Sequence, residues 1–247
     1  MPVETHGSEI SRLAATMNGM LDRLENSQEA QRRFTSDAAH ELRTPLASMR
    51  AQLDVDLAHP QTADWPATAG RVRTDVERMQ RLVEDLLRLA RSGGGATPAM
   101  DRLVDLDDVV LSEVASVSRR PGVELDSSAV SAASVRGSAD DLRRLVSNLL
   151  SNAMRHAESA VAVSVHEEAD HSVLRVDDDG SGVGEEYCEA IFERFVRLDE
   201  ARSRDSGGSG LGLALSREIA ESHGGTLHVE SNASGGASFV LRLPSGS

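Results

Sequence analysis

No lysine occurs in the 247 residues; all 26 basic residues are Arg. That absence removes three chemistries. A Walker-type phosphate loop needs its Lys, protein-kinase catalysis needs a strand Lys, and Schiff-base formation needs an amine. Aromatic residues are also scarce, at 2%, so Leu, Val and Ala must fill the core that the 39% hydrophobic content builds. Few aromatics and a net charge of −14 argue against a nucleic-acid partner, which rewards basic surfaces and stacking platforms. Cys188 is the single cysteine, so no internal disulfide can form and no cysteine-rich metal spacing exists. A reducing cytosolic setting fits that usage. No run of about 18 apolar residues occurs and no signal-peptide pattern opens the chain, so the expectation for the chain as given is a soluble one.

What is present changes character along the chain. In residues 1–30, Ile10, Leu13, Met17, Met20 and Leu24 recur at alternating spacings of three and four. That seam suggests a parallel two-stranded coiled coil. In residues 31–92, Phe34, Ala38, Leu42, Leu46, Met49, Leu53 and Leu57 mark one helical face. His59-Pro60 through Trp65-Pro66 interrupts it, and Val72, Val76, Met79, Leu82, Val83, Leu86 and Leu89 define a second helix. Two such helices make an antiparallel hairpin whose stripes stay half exposed, so a homodimeric four-helix bundle completes it. Residues 93–101, opening with three glycines, read as a flexible linker.

Residues 102–247 are mixed and hold most of the negative charge. A helix is expected over Val104–Val117, short strands in VELD and ASVRG, and a helix capped by Ser138 running to about His156. AVAVSVH and SVLRVDD alternate as strands, Leu211–His223 is helical, and TLHVES and ASFVLRL close as strands. The fold class is therefore multidomain: an all-α hairpin, followed by an α+β sandwich with helices on one face of a mixed sheet.

Four clusters carry chemistry. In AAHELRTPL, His40 lies roughly 160° from the apolar stripe and faces solvent, with Glu41 beside it, Thr44 one turn on, and Pro45 set to bend the helix. A zinc-protease motif fails there because position 44 is Thr. An exposed imidazole beside a carboxylate suits nucleophilic attack, although an exposed surface pair has the same appearance. Asn148 and Asn152 sit four apart on one helix face and could hold Mg²⁺ through amide oxygens, or be two solvated asparagines. VDDDGSGV ends a strand in a glycine turn. A dinucleotide fingerprint fails because position 185 is Glu, yet an Asp leaving a strand can accept from an exocyclic amine such as that of adenine. GGSGLGLAL leads directly into a helix, where backbone N–H groups can cradle phosphate.

In that order these motifs resemble the cytoplasmic part of a two-component sensor histidine kinase. FTSDAAHELRTPLASMR resembles the H box, LVSNLLSNAMRHA the N box and VDDDGSGV the first glycine box. FERFVRLD resembles the F box, GGSGLGLAL the second glycine box, and EISRLAATMNGMLDRLE the second helix of a HAMP module. The resemblance implies a GHKL or Bergerat-type ATP domain at 102–247 after a phosphotransfer hairpin. It makes His40 the phospho-acceptor, Glu41 its general base, and Glu41-x-x-Thr44 a phosphatase motif. It assigns Asn148 and Asn152 to Mg²⁺-ATP, Arg155 and His156 to phosphate or ribose, and Asp178 to the adenine amine. Gly180 and Gly182 then admit the base, while Gly208, Gly210, Leu211 and Gly212 form the second glycine box, with its glycines shaping the hinge of an ATP lid. Either Arg202 or Arg204 meets the γ-phosphate, and Phe192 and Phe195 are core aromatics or contacts. Asp179, Ser181 and His156 depart from residues common in the family, which puts only the detailed contact of His156 in doubt. Asn148 stands where related gyrase-type ATPases carry a water-activating Glu, suggesting that ATP is spent on His40 rather than on water. The implied partners are a second copy and a response-regulator receiver domain. The implied location is the cytoplasmic side of a bacterial inner-membrane sensor, with membrane contact only through parts outside this chain.

Overall fold

The computed structural model describes residues 5–92, 102–198 and 210–246. The expected linker and Arg202, Arg204 and Gly208 lie outside the described residues. The chain divides into two compact units, Met1–Gln80 and Arg81–Ser247.

The first unit contains α1, Thr5–Ala58, and the beginning of α2, Trp65–Ser92. The expected coiled-coil segment and first hairpin helix are one continuous helix, with the buried Pro45 inside it. Pro45 offers no N–H to the Glu41 carbonyl, and one residue earlier the Thr44 hydroxyl donates to the His40 carbonyl at 3.2 Å. Asp64 starts α2: its Oδ1 accepts from the Ala67 N–H at 3.0 Å, the usual device for an orphan helix donor. A polar network ties the two helices. Buried Thr68 donates its hydroxyl to Asp56, while Arg71 donates to Thr68 Oγ1 at 2.8 Å and to Gln52 Oε1 at 3.3 Å. The apolar stripes meet incompletely. Met49 is buried, yet Leu46, Leu53, Leu57 and Val76 stay exposed, and Leu53, Trp65, Val72 and Val76 line an open groove of about 610 Å³.

The second unit opens with the last turns of α2, where Leu82 and Leu89 are buried. Asp85 and Arg88 on those turns pair with Arg144 and Asp141. Burial pushes the Asp85 carboxyl up against the pull of Arg144. Next come β1, Leu103–Asp105, and α3, Leu106–Ser116. The helix expected from Val104 thus begins at Leu106. Its first residues are extended because they pair antiparallel with β3, Ser134–Arg136, a partner outside any local pattern.

The main sheet has five strands: β2 Glu124–Val130, β4 Ala160–Glu168, β5 His171–Asp178, β6 Thr226–Ser231 and β7 Ala237–Pro244. Their order is β2-β4-β5-β7-β6, parallel at β2–β4 and antiparallel elsewhere, so the sheet is mixed as expected. α4, Ala139–His156, buries Leu142, Leu145, Val146, Leu149, Leu150, Ala153 and Met154 on one stripe. Burying a Leu or Val side chain contributes roughly 1.5–3 kcal/mol, so this stripe anchors the helix layer. α5, Gly212–Ser222, packs beside it. Buried His223 joins the two helices. Its Nδ1–H donates to the Ile219 carbonyl at 2.8 Å and its Nε2 accepts from the Ser138 N–H at 3.1 Å.

Candidate functional site

His40 and Thr44 are exposed on α1, and Glu41 is half-buried. The geometry gives His40 what the helical period gave it, an outward position with a carboxylate at the next residue. Thr44 faces the same side, but its hydroxyl proton is spent on the His40 carbonyl.

In the second unit, residues from α4, the end of β5 and the start of α5 come together. Asn148 Nδ2 donates to the Gly212 carbonyl at 3.2 Å and to Ser216 Oγ at 3.4 Å, and Ser216 Oγ donates to the same carbonyl at 2.8 Å. A carbonyl can only accept, so the amide nitrogen must face α5 and Oδ1 is the polar end left over. Asn152 stands one turn along α4, half-buried. Two amide oxygens fit Mg²⁺, a hard cation that keeps several waters and is held through few protein ligands plus substrate phosphates.

Asp178 ends β5 and is 3% exposed. Its Oδ1 accepts from the Gly180 N–H at 3.0 Å and from the Ala237 N–H at 3.4 Å. Its Oδ2 is buried and has no hydrogen-bond partner among the described residues. Burial raises the carboxyl above the usual range; the two N–H groups and His156 pull it down. A buried acceptor left unmade costs about 1–3 kcal/mol, so this atom points to a donor supplied by a ligand. Gly180 sits where a Cβ would stand 2.2 Å from the His156 carbonyl oxygen, so only glycine lets the turn pass the end of α4. Gly182 follows on the same turn. Arg155 and His156 are exposed on the last turn of α4, beside that turn.

Gly210 and Leu211 precede α5, with Leu211 fully buried at the N-cap and Gly212 as its first residue. The Phe195 N–H donates to the Gly210 carbonyl at 2.9 Å. Both have positive φ, +65 at Phe195 and +68 at Gly210, and a Cβ on Gly210 would stand 2.8 Å from Phe195. Phe192 is a core aromatic, edge-on to Phe239 at 6.4 Å with the Arg217 guanidinium 4.1 Å above its ring.

The supporting roles of four residues escaped sequence reasoning. Ser216 orients Asn148, as above. Asp179 accepts from the Glu158 N–H at 2.8 Å and from the N–H and hydroxyl of Ser159, fastening the end of β5 to the start of β4. Arg120 donates to the carbonyls of Arg155, in the last turn of α4, and of Ala157 and Glu158 just after it, where a cation also suits the helix dipole. Asn232 binds the backbone of Asp178. No local signal marks any of them, since each acts on a residue distant in sequence.

The family described as His Kinase A (phospho-acceptor) domain matches residues 30–95, and the histidine kinase-, DNA gyrase B-, and HSP90-like ATPase family matches residues 137–247. The sensor protein IrlS of Burkholderia pseudomallei is 36% identical over 247 residues, 98% of this chain and 53% of that protein. The signal transduction histidine-protein kinase/phosphatase MprB of Mycolicibacterium smegmatis is 37% identical over 260 residues, 98% of this chain and 52% of that protein. The chain thus spans about half the length of the curated relatives it matches. Among solved structures, the ATP binding domain of PrrB from Mycobacterium tuberculosis is 31% identical with a TM-score of 0.50, covering 60% of this chain and 99% of that one. With the phospho-acceptor and ATPase family patterns following one another along the chain, as its relatives' names lead one to expect, the chain belongs to the sensor histidine kinases of two-component systems.

Proposed function

We propose that this chain transfers the γ-phosphoryl group of ATP to His40 and then to an aspartate of a response-regulator receiver domain. The observation that carries the nucleotide half is the buried, unpartnered Oδ2 of Asp178, an acceptor suited to the 6-amino group of adenine. Asn148 and Asn152 hold Mg²⁺, which neutralises phosphate charge when bound. Arg155 and His156 meet phosphate or ribose at the end of α4, and Arg202 or Arg204 meets the γ-phosphate. Gly208, Gly210 and Gly212 shape the hinge of the ATP lid.

At His40 one ring nitrogen attacks the γ-phosphorus, the bond to the ADP oxygen breaks, and Glu41 accepts the ring proton. The phosphoryl group then passes to the receiver carboxylate, restoring the free imidazole. Thr44 serves the reverse task. Its donated proton leaves oxygen lone pairs that accept from a water attacking the phospho-aspartate. The exposed stripe of the hairpin supports a homodimer. Domain bounds of 1–30, 31–92, 93–101 and 102–247 follow from the same reading. Among the described residues no helix is long and apolar enough to cross a membrane; the chain is read as the cytoplasmic part of a bacterial inner-membrane sensor.

Incubation with γ-labelled ATP tests the proposal. The label should appear on the chain in an acid-labile, base-stable form, as a phosphoramidate does, and vanish in His40→Gln. Unchanged labelling of His40→Gln would reject it.

A further inference from the structure

Asn232 lies just past β6, in the turn to β7, and its side chain makes five polar contacts. Nδ2 donates to the Asp178 carbonyl at 2.7 Å and to the Ala237 carbonyl at 3.2 Å. Oδ1 accepts from the Gly236 N–H at 2.9 Å, and from the Ser234 N–H at 3.1 Å and its hydroxyl at 2.8 Å. Chemistry fixes the amide orientation: the two carbonyls only accept and the two N–H groups only donate, so a flipped amide would break four of the five contacts. One side chain therefore shapes the turn with its oxygen and holds the Asp178 backbone with its nitrogen.

The turn in its place sets the carboxylate of Asp178. Gly236 approaches so closely that a Cβ there would stand 1.9 Å from the Asp178 carbonyl oxygen. The next residue, Ala237, supplies one of the two N–H groups on Asp178 Oδ1. With Oδ1 held from both sides, the carboxylate cannot turn, and Oδ2 is the oxygen left without a partner. A fixed acceptor discriminates between bases; a rotating one can be satisfied by water and discriminates less.

We propose that Asn232 is a positioning residue for base selection, holding Asp178 so that Oδ2 meets an exocyclic amine. It acts through the Asp178 carbonyl and the Ala237 N–H. The inference rests on the reading of Asp178 as the adenine acceptor. Binding of a purine nucleotide with a carbonyl at C6 gains nothing from that acceptor, so loosening Asp178 should leave it unchanged.

Titration of the full chain with ADP and with inosine diphosphate, which has a carbonyl in place of the amine, tests this. The unaltered chain should prefer ADP by about tenfold or more, the scale of one buried polar contact. Asn232→Ala should lose most of that preference through weaker ADP binding alone, with inosine diphosphate held within about twofold. Asn232→Asp keeps the acceptors for Ser234 and Gly236 but turns an oxygen toward the Asp178 carbonyl, so it should lose the preference while the turn survives. It carries the test if Asn232→Ala fails to fold, as judged by circular dichroism. Equal loss for both nucleotides, or an intact preference, overturns the proposal. Asp178→Asn separates the two levels. If it abolishes the preference and the Asn232 variants do not, only the role of Asn232 falls. If the unaltered chain shows no preference, or Asp178→Asn retains it, the reading of Asp178 falls and the inference with it.

Discussion

At Asp178, stability and recognition oppose one another. Burial raises its carboxyl, so the folded unit disfavours the ionised form at neutral pH, and that cost is relieved as pH falls through the raised value. Asn at this position can still accept from Gly180 and Ala237 while removing the charge. Asp178→Asn should therefore unfold at an equal or higher temperature yet bind ATP about ten- to a hundredfold more weakly, since two donors then face each other. GTP, with its C6 carbonyl, should lose less; parallel loss would indicate a collapsed pocket. Thr44 gives the second residue-scale test. Nothing in its geometry serves attack by His40, so Thr44→Ala should keep autophosphorylation and transfer but lose dephosphorylation of the regulator. Rates of both activities, measured with the cognate regulator, decide it. If both fall together, the hydroxyl serves only the helix beside Pro45; if neither falls, the shared-face reasoning fails.

At the scale of elements, α4 governs the proposed site, because it carries Asn148, Asn152, Arg155 and His156 on one 18-residue helix. Its N-terminus is held by Ser138, whose Oγ accepts from the Asp141 N–H at 3.3 Å. Ser138→Ala should lower unfolding free energy by about 1 kcal/mol, read from urea midpoints at constant slope. An unchanged midpoint would show that the His223 contact to the Ser138 N–H suffices alone. Beyond the C-terminus, Asp179 ties β5 to the strand that follows α4. The Ser159 hydroxyl, the Ala160 backbone and the Ser159 backbone hold its carboxyl below the ordinary value of 3.8. The sign follows: a depressed acid contributes stability that is present above 3.8 and lost as pH falls toward the lower folded value. Asp179→Asn should therefore lower the urea midpoint at pH near 7, and the gap from the unaltered chain should narrow as pH falls well below 3.8. A gap independent of pH would mean that the anion is not the source.

For the whole molecule, the first unit leaves Leu46, Leu53, Leu57 and Val76 exposed along its helices, more apolar surface than a two-helix unit can cover by itself. In the proposed homodimer, a second copy would supply the missing half of the bundle. Leu53→Glu combined with Val76→Glu should convert a dimer to a monomer in sedimentation analysis, because burying both charges in a facing bundle costs far more than it returns. Nucleotide binding by the second unit should be unchanged, because both substituted residues lie in the first unit. A dimer that persists would move the interface elsewhere.

The sequence by itself determined what depends on short-range periodicity and on residue chemistry. The seven buried positions of α4 recur at helical spacing, so the helix, its Ser138 cap and the shared face of Asn148 and Asn152 were readable. The outward direction of His40 was readable for the same reason. The glycine turn after Asp178 announced itself by composition, and the strands of the sheet by alternation. Tertiary structure decided what depends on a distant partner. Leu103–Asp105 is extended only because Ser134–Arg136 lies beside it. NASGG lies between the two closing strands, and nothing local reveals that its Asn232 reaches a carbonyl 54 residues earlier. The unpartnered oxygen of Asp178 arises where β5, α4 and the β6–β7 turn meet, since burial and hydrogen-bond satisfaction are properties of neighbours in space, not of neighbours in the chain.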